Sequence, residues 1–284
     1  MNMIQTILVP TDFSEASVNA SEYAVKLAKE INAKVVLLHV YHVPVPVSPE
    51  VPVMAISPDE LQKQNEDQLR EAAVYLKGQS GVEVDYIARM GFAVDEILEE
   101  EKNVNLIVMG MKGAGRLSEV LMGSITTAAI RKVKTPVLVI PENTKYKKPE
   151  KIVFACDYDP RTNVHTIDTV KTLIKALGSR IYVLNVKKKE KSISVEEAAT
   201  GVNLENELSD IDHVYYFSQK KDPVEGIGEF VEEKQADMVI VIPHHYNLVE
   251  GLFHKSISKK MAFHTHVPLL ALPDNHKTVP TYLF

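Results

Sequence analysis

The feature that most constrains the fold of this 284-residue chain is an internal repeat of short apolar runs. Residues 151–157 (KIVFACD) mirror residues 6–12 (TILVPTD), so that Asp157 falls on Asp12 at an offset of 145 (157 − 12). Three more runs match: 181–186 with 35–40, 237–242 with 105–110, and 267–273 with 135–141, the last at an offset of 132 (268 − 136). Self-similarity of this kind predicts two copies of one structural unit, each of roughly 140 residues.

Within the first copy, apolar runs alternate with stretches of helical periodicity. Strand-like runs occupy residues 4–9, 34–40, 82–88, 105–109 and 135–141, and helical patterns occupy 14–31, 59–76, 94–101 and the segment with Leu117, Val120, Leu121, Ile125 and Ala128. Five strands alternating with four helices are typical of a parallel α/β sheet with helices on both faces. The simplest strand order is 3-2-1-4-5, as in a Rossmann-like unit.

Proline and lysine mark the boundaries of these units. The polar, lysine-rich segment 145–150 predicts a linker between a first domain at 1–144 and a second at 151–284. Prolines bracket the fifth strand of each copy, a pattern that favours a sheet edge. Five prolines between residues 41 and 58 disfavour a helix there and predict a long loop.

Composition narrows the class of protein. The chain is 45% hydrophobic and 25% charged, an ordinary globular composition, and its formal charge of -6 argues against nucleic acid as a main partner. The single cysteine, Cys156, excludes an intrachain disulfide and fits a reducing compartment. Neither a secretory signal nor an apolar run of 18 residues is present, so we expect a cytoplasmic protein without membrane contact.

A glycine-rich segment follows the fourth strand of the first copy. Gly110-Met-Lys-Gly113 is followed by nine residues and then by Gly123-Ser124, where a helical pattern runs. Glycines let backbone N–H groups approach an anion, and a helix N-terminus adds free donors and a positive dipole end. The segment lacks the Gly-Lys-Ser/Thr ending of a Walker A loop, and Gly113-Ala-Gly115 lies far from the first strand, where a dinucleotide fingerprint belongs. A plain turn that needs glycine is the alternative to a phosphate site.

With these glycines and their spacing, the chain resembles the universal stress protein family, whose ATP-binding members carry Gly, two residues, Gly, nine residues and Gly-Ser/Thr. The resemblance implies a stress-response or signalling protein that binds ATP, or AMP or ADP, with Mg²⁺ bridging the phosphates. The position of Asp12 alone leaves two roles open, capping the first helix together with Ser14 or facing a ligand or Mg²⁺, and the resemblance favours the second. The residues it implies for nucleotide binding are Pro10, Thr11, Asp12, Val40, Met109, Gly110, Gly113, Gly123, Ser124 and Ile125.

The second copy has lost the glycines of this segment. The offset of 132 carries Gly110, Gly113, Gly123 and Ser124 onto Ile242, His245, Lys255 and Ser256. Bulky and β-branched residues disfavour the backbone angles and close approach that glycine permits, so we predict that the second copy has lost this mode of nucleotide binding. Five histidines nearby suggest a metal site, but the repeat places them at both ends of one helix, and we favour solvated side chains: His244, His245, His254, His264 and His266.

The resemblance also implies how the two copies meet. Related single-domain proteins dimerise, often through their fifth strands, so the two halves are expected to form an intrachain pseudo-dimer at the strands of Val137 and Leu269. Three functions remain open: an ATP-binding regulatory protein, a nucleotide-free scaffold that binds an unknown protein partner, and a true ATP hydrolase. We expect no enzyme beyond slow, incidental ATP hydrolysis, because nothing resembles a committed catalytic set. A homodimer of the whole chain is also plausible.

Overall fold

The computed structural model describes residues 4–42, 57–111, 123–156, 164–187, 195–242 and 267–273. In the first half the elements are β1 (Thr6–Pro10), α1 (Glu15–Ile31), β2 (Lys34–Tyr41), α2 (Pro58–Ser80), β3 (Val84–Met90), α3 (Ala93–Glu100), a 3₁₀ turn (Glu101–Asn103), β4 (Leu106–Met111), α4 (Ser124–Lys132) and β5 (Val137–Pro141). In the second half they are β6 (Lys151–Ala155), α5 (Val164–Leu177), β7 (Arg180–Lys187), α6 (Val195–Leu208), β8 (His213–Gln219), α7 (Pro223–Lys234), β9 (Met238–Val241) and β10 (Leu269–Ala271).

All ten of these strands form one sheet, in the order β3-β2-β1-β4-β5-β10-β9-β6-β7-β8. Each half has the predicted order 3-2-1-4-5, and its strands pair in parallel. The two halves meet where β5 pairs antiparallel with β10, with Val139 opposite Leu269 and Val137 opposite Ala271. The predicted fold class is confirmed, and the fifth strand of each half is an interior strand of the joint sheet.

The register of the strands repeats between the halves. In the first half Ile107 of β4 lies opposite Val137 of β5, and in the second Val239 of β9 lies opposite Leu269 of β10. Both partners are displaced by the same 132 residues (239 − 107 and 269 − 137). The duplication seen in the sequence therefore extends to individual strand pairs, and Ile242 follows β9 at the position where Gly110 lies in β4.

Local sequence explains where the helices begin and end. Ser57 and Glu60 form a reciprocal capping box at the start of α2, and Gly81 ends that helix at φ 74°. The helix extends beyond the predicted residues 59–76 at both ends.

In α4 the buried positions are Thr126, Ala129 and Ile130, while Ile125, which was predicted on the apolar face, is 44% exposed. Leu117 to Leu121 lie outside the described residues.

Two apolar layers cover the faces of the sheet. One layer contains residues of α1, α2, α5 and α6, for example Leu27, Leu69 and Ile174, and the other contains residues of α3, α4 and α7. Burial on both faces explains why the strands are nearly continuous apolar runs. Within the described ranges, no helix has the length and apolar character needed to cross a membrane.

The linker predicted at 145–150 lies along α1. Lys145 pairs with Glu22 at 3.6 Å, and Lys148 pairs with Glu30 at 3.5 Å. Between them the ring of Tyr146 packs edge-on against Tyr23, with the ring centroids 4.9 Å apart. The segment also contacts the second half, since Lys147 pairs with Asp237 at 2.8 Å.

Candidate functional site

A cavity of about 540 Å³ opens in the first half at the carboxyl ends of β1, β2 and β4. In a parallel sheet this edge, near the point where the strand order reverses, is where ligands bind. Nine predicted site residues line the cavity together: Pro10, Thr11, Asp12, Val40, Met109, Gly110, Gly123, Ser124 and Ile125. The tenth, Gly113, lies outside the described residues, as do Lys112 and Arg116.

The loop after β1 forms one wall of this cavity. Asp12 Oδ1 accepts hydrogen bonds from the backbone N–H of Ser14 (3.1 Å) and from its hydroxyl (2.6 Å). Ser14 is in turn the N-cap of α1, and its side chain accepts from the N–H of Ser17. Asp12 therefore supports the helix start and also lines the cavity, so its two proposed roles are compatible.

Asp12 is expected to be ionised in this setting. Partial burial acts to raise the pKa of its carboxyl group, but the hydrogen bonds from Ser14 and Ser17 outweigh burial and hold the pKa below its usual value. The cavity wall formed by the loop before α1 thus carries a negative charge at neutral pH.

The opposite wall contains the N-terminus of α4. Gly123 is the N-cap and offers no side-chain hydrogen bond, so the first N–H groups of this nine-residue helix have no capping partner from it. Ser124 and Ile125 follow directly and line the cavity, which explains the exposure of Ile125. An uncapped helix N-terminus at a cavity wall favours an anionic group of a ligand.

Gly110 has a packing role that the sequence did not reveal. A Cβ atom at this position would lie 2.6 Å from the carbonyl carbon of Ala16 and 3.0 Å from the backbone nitrogen of Ser17, both in the first turn of α1. A glycine is required here because the backbone of α1 approaches β4 closely. This requirement holds whether or not a phosphate binds nearby.

Other lining residues were not predicted as site residues. Ala93 and Ile97 come from α3, and Glu142 follows β5, at the end of the first predicted domain. With Asp12 and Glu15, Glu142 makes three carboxylates in the lining, while no lysine or arginine occurs among its described residues. The position of Glu142 at the carboxyl end of a strand is the signal that identifies it.

The corresponding place in the second half holds a much smaller, apolar crevice. Its volume is about 50 Å³, and it is lined by Ala155, Cys156, Leu184, Val186, Pro223, Ile227, Val241 and Ile242. Ile242, the counterpart of Gly110, is 7% exposed and belongs to the apolar core. Asp157, Ser256 and the five clustered histidines lie outside the described residues, and in the parts that are described no three His, Cys, Asp or Glu side chains group as metal ligands.

Comparison with known proteins agrees with this architecture. The family model for universal stress proteins matches residues 3–141 and, a second time, residues 149–273. The chain belongs to the universal stress protein family. A universal stress protein of Methanocaldococcus jannaschii is 33% identical over 156 residues, which are 53% of this chain and 86% of the relative. Universal stress protein YxiE of Bacillus subtilis is 31% identical over 147 residues, 49% of this chain and 99% of the relative.

A solved structure matches both halves at once. A universal stress protein from Archaeoglobus fulgidus superposes with a TM-score of 0.74 at 19% identity, over 95% of this chain and 98% of the other. At this identity the likeness concerns the fold. The predicted membership in the family and its tandem, two-domain arrangement are confirmed.

Proposed function

We propose that the first half of this protein binds an adenine nucleotide, ATP with Mg²⁺, in the 540 Å³ cavity and acts as a ligand-responsive protein in stress response or signalling. The observation that carries the proposal is that nine predicted site residues line one cavity together with the start of α4, where Gly123 provides no side-chain cap. The size of the cavity is within the range of small-molecule sites, roughly 300–1,000 Å³.

The charges of the lining support the divalent cation. Asp12, Glu15 and Glu142 would repel a bare polyphosphate, and oxygen ligands of this kind suit Mg²⁺, which usually binds one or two carboxylates together with the phosphates. Mg²⁺ would therefore neutralise the phosphates beside Asp12. The α4 N-terminus would receive the phosphate oxygens on the other wall.

We further propose one nucleotide per chain and a binding role without catalysis. The crevice of the second half has about 50 Å³ and an apolar lining, and Ile242 fills the position of Gly110. Phosphoryl transfer needs a positioned base and added positive charge at the phosphates, and nothing in the sequence resembles a committed catalytic set of this kind. The second half would serve as the other member of an intrachain pseudo-dimer, joined through β5 and β10.

Nucleotide content and titration test the proposal. The purified protein is denatured and its supernatant analysed for nucleotides, and the emptied protein is titrated with ATP by calorimetry with and without Mg²⁺. We expect a stoichiometry near one and tighter binding with Mg²⁺. Two nucleotides per chain would contradict the loss of the second site, and absence of both bound nucleotide and titration heat would favour the scaffold function.

Gly123→Val separates binding from folding. Among the described residues, a Cβ atom at Gly123 would meet only the side-chain oxygen of Thr126, at 3.9 Å, so these residues leave room for a side chain there. The added methyl groups would occupy the cavity wall at the helix start, and we expect the affinity for ATP to fall about tenfold or more with little change in the melting temperature. Gly201→Val in α6, where a Cβ atom would meet no described atom within 4 Å apart from the backbone of its own helix, is the matched control and should leave both unchanged.

A further inference from the structure

The loop that carries Asp12 is fastened to the neighbouring strand by a side chain outside the cavity. Thr11 donates its N–H to the carbonyl oxygen of Leu38 at 2.8 Å, and the Thr11 carbonyl oxygen lies 2.7 Å from His39 Nδ1. A carbonyl only accepts, so the proton of this imidazole must lie on Nδ1. Leu38 and Val40 line the cavity, and because side chains alternate along a strand, His39 lies on the other face.

The backbone conformation of this loop is unusual at Phe13, the residue that follows Asp12. Phe13 has φ 62°, in the left-handed region that residues with a side chain seldom occupy. Its N–H donates to Thr11 Oγ1 at 3.1 Å, and its ring lies against His39, with the ring centroids 4.6 Å apart. His39 therefore contacts both residues that flank Asp12.

The second half contains a natural variant of this arrangement. Cys156 donates its N–H to the carbonyl oxygen of Leu184 at 2.9 Å, and Asn185 Nδ2 donates to the Cys156 carbonyl at 2.9 Å. Asn185 follows Leu184 as His39 follows Leu38. Asn185 is 1% exposed, and the described residues offer its Oδ1 no hydrogen-bond partner, so the bond donated by Nδ2 is the contact that this side chain makes there.

From these contacts we infer that His39 is a positioning residue of the nucleotide site: it holds the Thr11 carbonyl through Nδ1 and thereby sets the direction in which Asp12 faces the cavity. An asparagine donates the same bond in the second half, so the donor, and not the imidazole ring, is what the two loops have in common. This inference rests on the proposed binding of a nucleotide in the first cavity.

Three variants and two measurements test the inference. His39→Phe keeps a ring against Phe13 but removes the donor, His39→Asn keeps a donor, and His42→Asn changes the other histidine at this strand end, which contacts Phe92 instead. We expect the Kd for ATP with Mg²⁺ to rise about tenfold or more in His39→Phe and to stay within about threefold of wild type in the other two.

Amide hydrogen exchange at residues 12–14 without ligand is the second measurement. We expect exchange to accelerate about tenfold in His39→Phe and to stay near wild type in His39→Asn. An unchanged Kd in His39→Phe, or an equal loss in His39→Asn, overturns the inference. If wild type fails to bind ATP, the proposed function is wrong, and the exchange rates still decide whether His39 positions the loop.

Discussion

Gly110 lies where β4 passes closest to the start of α1. The absent side chain leaves space for the backbone at Ala16 and Ser17, whereas a methyl group placed on Gly78 in α2 would meet no described atom within 4 Å apart from the backbone of its own helix. The first glycine of the motif is therefore a packing residue as well as a lining residue of the cavity. An effect of its substitution on ligand binding would have to be separated from an effect on folding.

Gly110→Ala should lower the free energy of unfolding by about 1–3 kcal/mol, because the backbone of α1 must move to admit a methyl group. Gly78→Ala is the control and should raise it by about 0.5–1 kcal/mol, since it replaces glycine inside a helix without a clash. Urea unfolding followed by circular dichroism measures both. If Gly110→Ala leaves the free energy of unfolding unchanged, the close approach of α1 and β4 does not require glycine at this position.

Asp237 and Asn105 perform the same task in the two halves. Asn105 Oδ1 accepts from the N–H groups of Gln5 and Thr6 at 2.9 and 3.1 Å. Asp237 Oδ2 accepts from their counterparts, Glu150 and Lys151, at 3.0 Å each. Asp237 also pairs with Lys147 of the linker at 2.8 Å. The second half has thus gained a charge at a position that needs only an oxygen.

Asp237→Asn should therefore keep the fold but change its acid sensitivity. Partial burial acts to raise the pKa of Asp237, and the bonds from Lys147 and the two N–H groups outweigh it, so the pKa is lowered. A lowered pKa stabilises the fold at neutral pH, and that contribution is lost as the pH falls below about 4. In urea unfolding, we expect the free energy of unfolding of wild type to exceed that of Asp237→Asn by up to about 1 kcal/mol at pH 7. This difference should disappear below about pH 4. A difference that persists in acid would contradict this cause.

Among the elements, α1 connects the cavity with the linker. Its first turn lines the cavity, and further along Asn19 donates Nδ2 to the carbonyl oxygens of Pro141 and Thr144 at 3.2 and 3.1 Å. Lys145 donates to Asn19 Oδ1 at 3.3 Å. Asn19 is buried, so these partners replace water around its amide. Asn19 therefore joins α1 to the turn that carries Glu142, and a backbone bond from the Thr144 N–H to the Pro141 carbonyl oxygen at 2.9 Å also closes this turn.

Asn19→Ala should lower the free energy of unfolding by about 1–3 kcal/mol, because it removes the two hydrogen bonds that a buried amide donates to the turn at 141–144. Asn65→Ala in α2 is the control: Asn65 bonds only to Leu61 of its own helix among the hydrogen bonds of the described residues, and its loss should cost less than about 0.5 kcal/mol. Chemical denaturation of both variants measures these changes in the free energy of unfolding. Equal effects would mean that the attachment of the linker to α1 does not stabilise the fold.

At the scale of the whole molecule, the two halves share one sheet. Val137, Leu138 and Val139 of β5 are each at most 1% exposed, and β10 covers the edge that β5 would otherwise present. The sheet ends instead at β3 and β8. An interior strand of this kind becomes an unpaired apolar edge when its partner is removed.

A chain truncated after residue 148 should therefore self-associate. We expect a dimer or larger species by light scattering at micromolar concentration, because the exposed β5 edge pairs with a second copy. The full-length chain under the same conditions is the control, since its β5 edge is covered. A truncated chain that remains monomeric would show that β5 needs no partner strand.

The sequence alone was sufficient for the units of this fold and for nine residues that line one cavity. Local periodicity indicated the strands and helices, the repeat indicated two units, and glycine spacing indicated the loop after β4, because each of these depends on residues close together in the chain. Helix ends such as Ser80 of α2 and the inward face of α4 were less well predicted, since packing against the sheet decides them.

Only the tertiary structure decided how distant residues act on one another. The clash that keeps position 110 a glycine, the entry of Glu142 into the cavity lining and the bond from His39 to Thr11 each join segments far apart in the sequence. No local pattern indicates the clash at position 110 or the bond from His39, and the place of Glu142 after β5 becomes a signal only once the end of that strand is known. The contrast between a cavity of about 540 Å³ and a crevice of about 50 Å³ likewise follows from how side chains fill space, which composition and spacing leave open.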